Sequence, residues 1–206
     1  MSNLKKDNNK QIFYILTSVI LLALLVQFGV TGFEKWKEFV IASAFSPFLT
    51  ALLIMLTNLI GHNIKHKLVF TRLKNEMPGS RCHLLCKQDP RLDQADISSK
   101  WPDVFSDSTS KEDRNGLWYR EIYKGVRDRP EVLQAHGNFL LYRDAFSGLI
   151  GITAVISCWD SFGPVEIIGE INPWVYAVFG VSLVLTMVTA RNSGNRFVVN
   201  AVAAAI

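Results

Sequence analysis

The sequence predicts an all-α polytopic membrane protein: four transmembrane helices, with a mostly helical cytoplasmic insert between the second and the third. Three observations carry this. Residues 11–33, 39–60, 145–159 and 171–190 contain no Asp, Glu, Lys or Arg. Of the 40 formal charges given by 22 basic and 18 acidic side chains, 25 fall between residues 62 and 136. Only 2 of the 22 basic residues, Lys35 and Lys37, lie in connections assigned to the outer side. A helix needs roughly 20 apolar residues to cross about 30 Å of hydrocarbon, so three of the four runs suffice alone.

The first span follows Lys5, Lys6 and Lys10. Its apolar run from Gln11 to Phe33 is too long for the core of a signal peptide and lacks a small-residue cleavage site, so it is expected to be retained. The second span carries Ala42, Ser43 and Ser46 before Pro47, whose ring removes a helix hydrogen bond and is expected to kink it. The third charge-free run is short. It reaches spanning length by extension back through Phe139–Tyr142, with Arg143 snorkelling to the headgroups and Asp144 turned toward another helix or water. As adjacent helical residues point in different directions, these two are not expected to pair. The fourth span is Ile171–Ala190.

Basic residues flank the inner ends: Lys65, Lys67, Arg72 and Lys74 after the second span, Arg191 and Arg196 after the fourth. By the positive-inside rule both termini and the insert are cytoplasmic, and the net charge of +4 reads as topology in place of nucleic-acid affinity. Phe33, Trp36, Trp159, Phe162 and Trp174 fall at the outer interface, where amphipathic rings prefer to sit. The chain therefore divides into a first transmembrane pair (1–61), the insert (62–136), a second pair (137–190) and a cytoplasmic or interfacial tail (191–206).

Within the spans, Ser147, Gly151, Ala154 and Cys158 recur every three to four residues and form a small-residue packing face for another span or another subunit. Gln27 and Asn58 are expected to hydrogen-bond between helices. No span carries a central ionisable residue, which disfavours proton-coupled transport and voltage sensing. The three cysteines, Cys82, Cys86 and Cys158, form no disulfide framework.

In the insert, a continuation of the second helix is expected over 62–77 and a short helix capped by Ser80. A helix of about 15 residues is expected from Thr109 or Ser110 to Gly125, and Pro130 is expected to open a helix running into the third span. Four clusters carry possible chemistry. His62 with His66, and Cys82 with Cys86, place two ligand types on helix faces and could form a zinc site, although no cofactor is expected. Trp118, Tyr119, Arg120 and Tyr123 with Arg127 form an aromatic and basic patch suited to a protein partner, or less favourably to a nucleotide or nucleic acid. Asp89-Pro90-Arg91-Leu92-Asp93 can set a turn that presents Arg91 to the same partner. His136 with Arg143 and Asp144 offers general acid–base groups, but no nucleophile with a base, phosphate loop or metalloprotease motif accompanies them.

The layout resembles small multi-span inner-membrane components of bacterial antiphage defence systems, the Kiwa membrane subunit type, which works with a cytoplasmic DNA-binding partner. Asp89–Asp93, Asn115–Tyr123 and His136–Asp144 are the segments expected to carry a family signature. The resemblance implies a sensor or effector in the bacterial inner membrane. The resulting expectation is a noncatalytic homo-oligomer in the lipid bilayer, acting as sensor, scaffold or effector toward a cytoplasmic protein through Arg91, Trp118, Tyr119, Arg120, Tyr123 and Arg127. The alternatives are a pore-forming or ligand-gated channel and a membrane-bound enzyme using His136 and Asp144.

Overall fold

The computed structural model describes residues 2–29, 46–163 and 170–206, and every regular element among them is helical. In chain order these are α1 (Ser2–Phe28), α2 (Ser46–Leu59), α3 (His62–Phe70), a 3-10 turn (Pro78–Arg81), α4 (Cys82–Cys86), α5 (Gln94–Lys100) and α6 (Pro102–Phe105). There follow α7 (Lys111–Leu117), a π turn (Trp118–Tyr123), α8 (Lys124–Val126), α9 (Pro130–Phe162) and α10 (Pro173–Ala205). The expectations concerning Lys35, Lys37, Phe33, Trp36, Ala42, Ser43 and the Pro47 side chain fall outside the described residues. Three stretches are long and apolar enough to cross a membrane: Asn8–Phe28, Pro130–Phe162 and Pro173–Ala205. The 14 described residues of α2 are apolar but shorter than a span.

Two compact units emerge. The apolar unit comprises Met1–Gly61 and Leu141–Met187; the charged unit comprises His62–Leu140 and Val188–Ile206. In the apolar unit Leu16, Leu53, Leu149, Ile152 and Phe179 form the centre of the core. The part of the small-residue face nearer Ser147 packs within the chain. Ser147 Oγ donates to the carbonyl of Thr57 at 3.0 Å, a Cβ at Gly148 would stand 2.8 Å from Leu16 and 2.9 Å from Thr57, and one at Gly151 would meet Leu56 at 3.3 Å. This half of the stripe is covered within the chain by α1 and α2, while Ala154 and Cys158 stay exposed on an apolar groove with Leu59 and Val155. The outward faces are apolar too: Tyr14, Leu59, Phe162, Trp174 and Leu185 are all exposed, the pattern of a surface facing hydrocarbon.

Several polar groups in this unit are engaged. Gln27 donates to the Glu170 carbonyl and accepts from the Asn172 amide, both at 2.9 Å. Asn172 in turn accepts from the Trp174 amide at 3.0 Å, so it caps α10 with Pro173 at the first helical position. Asn58 differs from expectation: its amide returns to Ile54 of its own helix. Arg143 and Asp144 also differ. They pair directly, with Arg143 Nη2 and Nε each 2.9 Å from Asp144 Oδ1. Arg143 is buried rather than snorkelling, because its long stem can fold back to a neighbour that Cβ directions alone would keep apart.

In the charged unit α3 ends at Phe70, seven residues short of the expected end at Met77. Thr71 takes φ 50° and the Arg72 amide bonds back to the Lys67 carbonyl at 3.1 Å, a left-handed helix stop usually made by glycine. Asp93 caps α5 and Ser110 caps α7 through their side chains. The stretch Pro102–Phe105 is one helical turn closed by Phe105 N–H to Trp101 O. The residues after Arg196 do not form a separate interfacial tail. They are the last turns of α10, and Phe197, Val198 and Val202 are buried in the core of this unit.

Candidate functional site

The insert's chemistry gathers around the helix that Ser110 starts. Ser110 Oγ accepts from the Asp113 amide at 3.1 Å. One turn on, Arg114 is almost fully buried, and its guanidinium donates to the carbonyls of Val104 (3.1 Å), Ser106 (2.7 Å) and Thr109 (2.8 Å). A buried cation satisfied by three backbone acceptors fixes the preceding loop against the helix. In the sequence Arg114 stands beside the aromatic patch, with no sign that its guanidinium is spent on backbone carbonyls.

Beyond Leu117 the helix widens into a π turn. In an α-helix residues five apart point about 140° away from each other; the i→i+5 pattern brings them nearly onto one face. Trp118 and Tyr123 therefore stack, with centroids 5.5 Å apart and planes 15° from parallel. Phe197 meets both rings edge-on, at 5.5 and 5.2 Å, and stacks on His136 at 4.6 Å. Tyr123 Oη lies 3.1 Å from His136 Nδ1, and burial is the main cause that raises the Tyr123 pKa. Trp118 and Tyr123 thus belong to the core, whereas Tyr119, Arg120 and Arg127 remain on the surface. Arg127 makes an exposed pair with Asp128.

Arg91 sits elsewhere on the unit. It chelates Asp89 through Nε (2.9 Å) and Nη2 (2.8 Å), and its Nη2 also reaches Asn200 Oδ1 at 3.0 Å. The two hydrogen bonds hold the Asp89 carboxyl down to a pKa of about 2 and raise that of Arg91. Beside them lies a cleft of about 210 Å³ lined by Glu131, Gln134, Asn138, Ser193 and Arg196, which shares Glu131 and Asn200 with a neighbouring hollow of about 370 Å³ that reaches Arg91. Side chains at 131, 134 and 138 recur at helical spacing, as do 193, 196 and 200, so two polar helix edges face one another. Sequence reading missed this cleft because its residues come from segments some 60 positions apart.

The remaining candidates do not assemble as imagined. His62 and His66 approach at 3.0 Å through their Nε2 atoms. Yet no group of three or more His, Cys, Asp or Glu suited to a metal occurs among the described residues. Burial pushes the Cys82 thiol up to about 12 and raises that of Cys86 as well. His136 is engaged by Tyr123, and Asp144 by Arg143. Compared with protein-family models, with curated proteins and with solved structures, the chain matches none.

Proposed function

We propose that this chain is a noncatalytic, homo-oligomeric inner-membrane sensor, scaffold or effector with four spans, both termini and residues 62–136 being cytoplasmic, and that it couples the bilayer to a cytoplasmic protein partner in the manner of antiphage membrane components. One observation carries the reading. α9 and α10 are each 33 residues long, about 50 Å at 1.5 Å per residue against about 30 Å of hydrocarbon, and each gives residues to both the apolar and the charged unit. A helix of that kind joins what happens in lipid to what happens on a soluble surface without an intervening loop.

The partner surface is the exposed edge carrying Tyr119, Arg120 and Arg127, where an aromatic ring beside two guanidinium groups supplies anchor-type contacts. Support for the noncatalytic reading comes from the engagement of His136 and Asp144 with different neighbours. The test is affinity purification of the intact protein from its membranes with quantitative identification of what accompanies it, in parallel for the wild type, Arg120→Glu with Arg127→Glu, and His136→Ala with Asp144→Asn. Loss of the companion in the first double variant at normal membrane insertion supports the reading. Unchanged recovery there, with activity lost only in the second, sinks it in favour of an enzyme. Labelling of Ser106→Cys and Gly163→Cys from either side decides orientation, and native mass measurement decides oligomerisation.

A further inference from the structure

The guanidinium of Arg81 lies over the ring of Phe70, 5.2 Å from its centroid, where α3 turns away. Its Nε and Nη2 are sealed from solvent and have no hydrogen-bond acceptor among the described residues. Two further arginines gather at the same stretch. Arg72 follows Thr71 in sequence, and Arg191 of α10 donates through Nη2 to the Val69 carbonyl (3.1 Å) and to Thr71 Oγ1 (2.9 Å). Burial, then the charges of Arg72 and Arg191, lower the Arg81 pKa. Among the described residues no carboxylate pairs with any of the three. Three guanidinium groups therefore gather around residues 69–72, one of them with two unpartnered donors.

We infer that Arg81, Arg72 and Arg191 form a binding site for a phosphate group, either the phosphodiester of an anionic phospholipid headgroup or a free phosphate. Guanidinium forks match phosphate oxygens in pairs, and a tetrahedral oxyanion offers enough acceptors to answer several forks together, which a carboxylate does not. Lys67 and Lys74 on the same stretch add to the local positive potential, as at the ends of helices that hold acidic lipids. The site stands on the charged unit alone and does not depend on the partner reading.

The test uses the full chain in detergent. Native mass spectrometry after adding phosphatidylglycerol, with phosphatidylcholine as control, reads headgroup binding; thermal unfolding with inorganic phosphate and pyrophosphate, without added lipid, reads free phosphate. Retention of phosphatidylglycerol over phosphatidylcholine without a phosphate response identifies the headgroup. Stabilisation by phosphate or pyrophosphate identifies the free ion. In either case Arg72→Gln or Arg191→Gln weakens binding at least tenfold, Arg72→Lys weakens it by losing the fork, and Lys111→Gln on α7 leaves it unchanged. Should Arg191→Gln not fold, the exposed Arg72→Gln carries the same expectation of weakened binding. No response in either assay overturns the site, as does undiminished binding in the arginine variants. An equal loss in Lys111→Gln overturns it too, because that would be diffuse charge attraction.

Discussion

The hydroxyl of Tyr123 and Nδ1 of His136 lie 3.1 Å apart, joining the π turn to α9. Tyr123→Phe keeps the ring against Trp118 and Phe197 and removes only this bond, so the expected loss is about 1 kcal/mol. Tyr123→Ala also empties the stack and should cost about 3–5 kcal/mol. Chemical denaturation of the two variants in detergent checks the ratio; equal losses would mean that the ring contributes nothing. Because the folded pKa of Tyr123 is raised, its contribution is complete below the unfolded value and disappears as pH rises through the folded one.

Cys82 and Cys86 are buried thiols held neutral. A thiol reagent at pH 8 should leave both unmodified in the native protein and react with both after denaturation, counted by mass. Their raised pKa values also fix a sign: the stabilising difference is present below the unfolded thiol value and is lost as pH climbs toward about 12. Rapid native modification of either residue would contradict the packing.

Gly79 has no room for a side chain. An added Cβ would stand 2.9 Å from Trp118 Cε3 and closer still to Asn115 Oδ1. Gly79→Ala should destabilise by about 1–3 kcal/mol through overpacking, whereas Gly125→Ala, with open space around it, should be neutral or slightly stabilising by helix propensity. Thermal shifts of the pair give the comparison.

Arg114→Met removes the cation that ties Val104, Ser106 and Thr109 together, and limited proteolysis should then cut within residues 104–110. Arg114→Lys should not restore protection, because one ammonium cannot reach three carbonyls in the arrangement that a planar fork provides. Full protection in both variants would show that the loop is held by something else.

Arg91→Gln should return the Asp89 carboxyl from about 2 toward the ordinary value near 4. Since the folded pKa is depressed, the stabilisation exists above the unfolded value and vanishes as pH falls through about 2. Arg91 is largely exposed, so the effect on stability is small. Carboxyl chemical shifts through an acid titration read it directly.

Much of the architecture could be read from charge alone. Three of the four apolar runs fall in the three spanning-length helices, and Ser110 and Pro130 begin helices where their side-chain chemistry says they should. What escaped depends on contacts distant in sequence. Phe197 and Val202 carry the same hydropathy whether they meet lipid, a second subunit or His136. Thr71 bears no mark of a left-handed stop, since a β-branched residue is poorly suited to one. Of the expected partner residues, Tyr119, Arg120 and Arg127 stay outside while Trp118 and Tyr123 turn inward, a division that α-helical periodicity misplaces because the turn holding them is not α.

The π turn has a further meaning for chains that differ from this one in length. An i→i+5 ring encloses one more residue than an i→i+4 ring, so the segment is equivalent to an ordinary helix into which a single residue has been inserted between Arg114 and Lys124. Deleting one position there would leave the Ser110 start untouched and rotate everything after it by about 100°. The ring now beneath Phe197 would swing outward, and the exposed arginines would exchange places with buried apolar side chains. One added residue in the helix therefore separates this surface from its mirror arrangement of inside and outside, and a one-residue length difference at this point would alter the protein more than many substitutions.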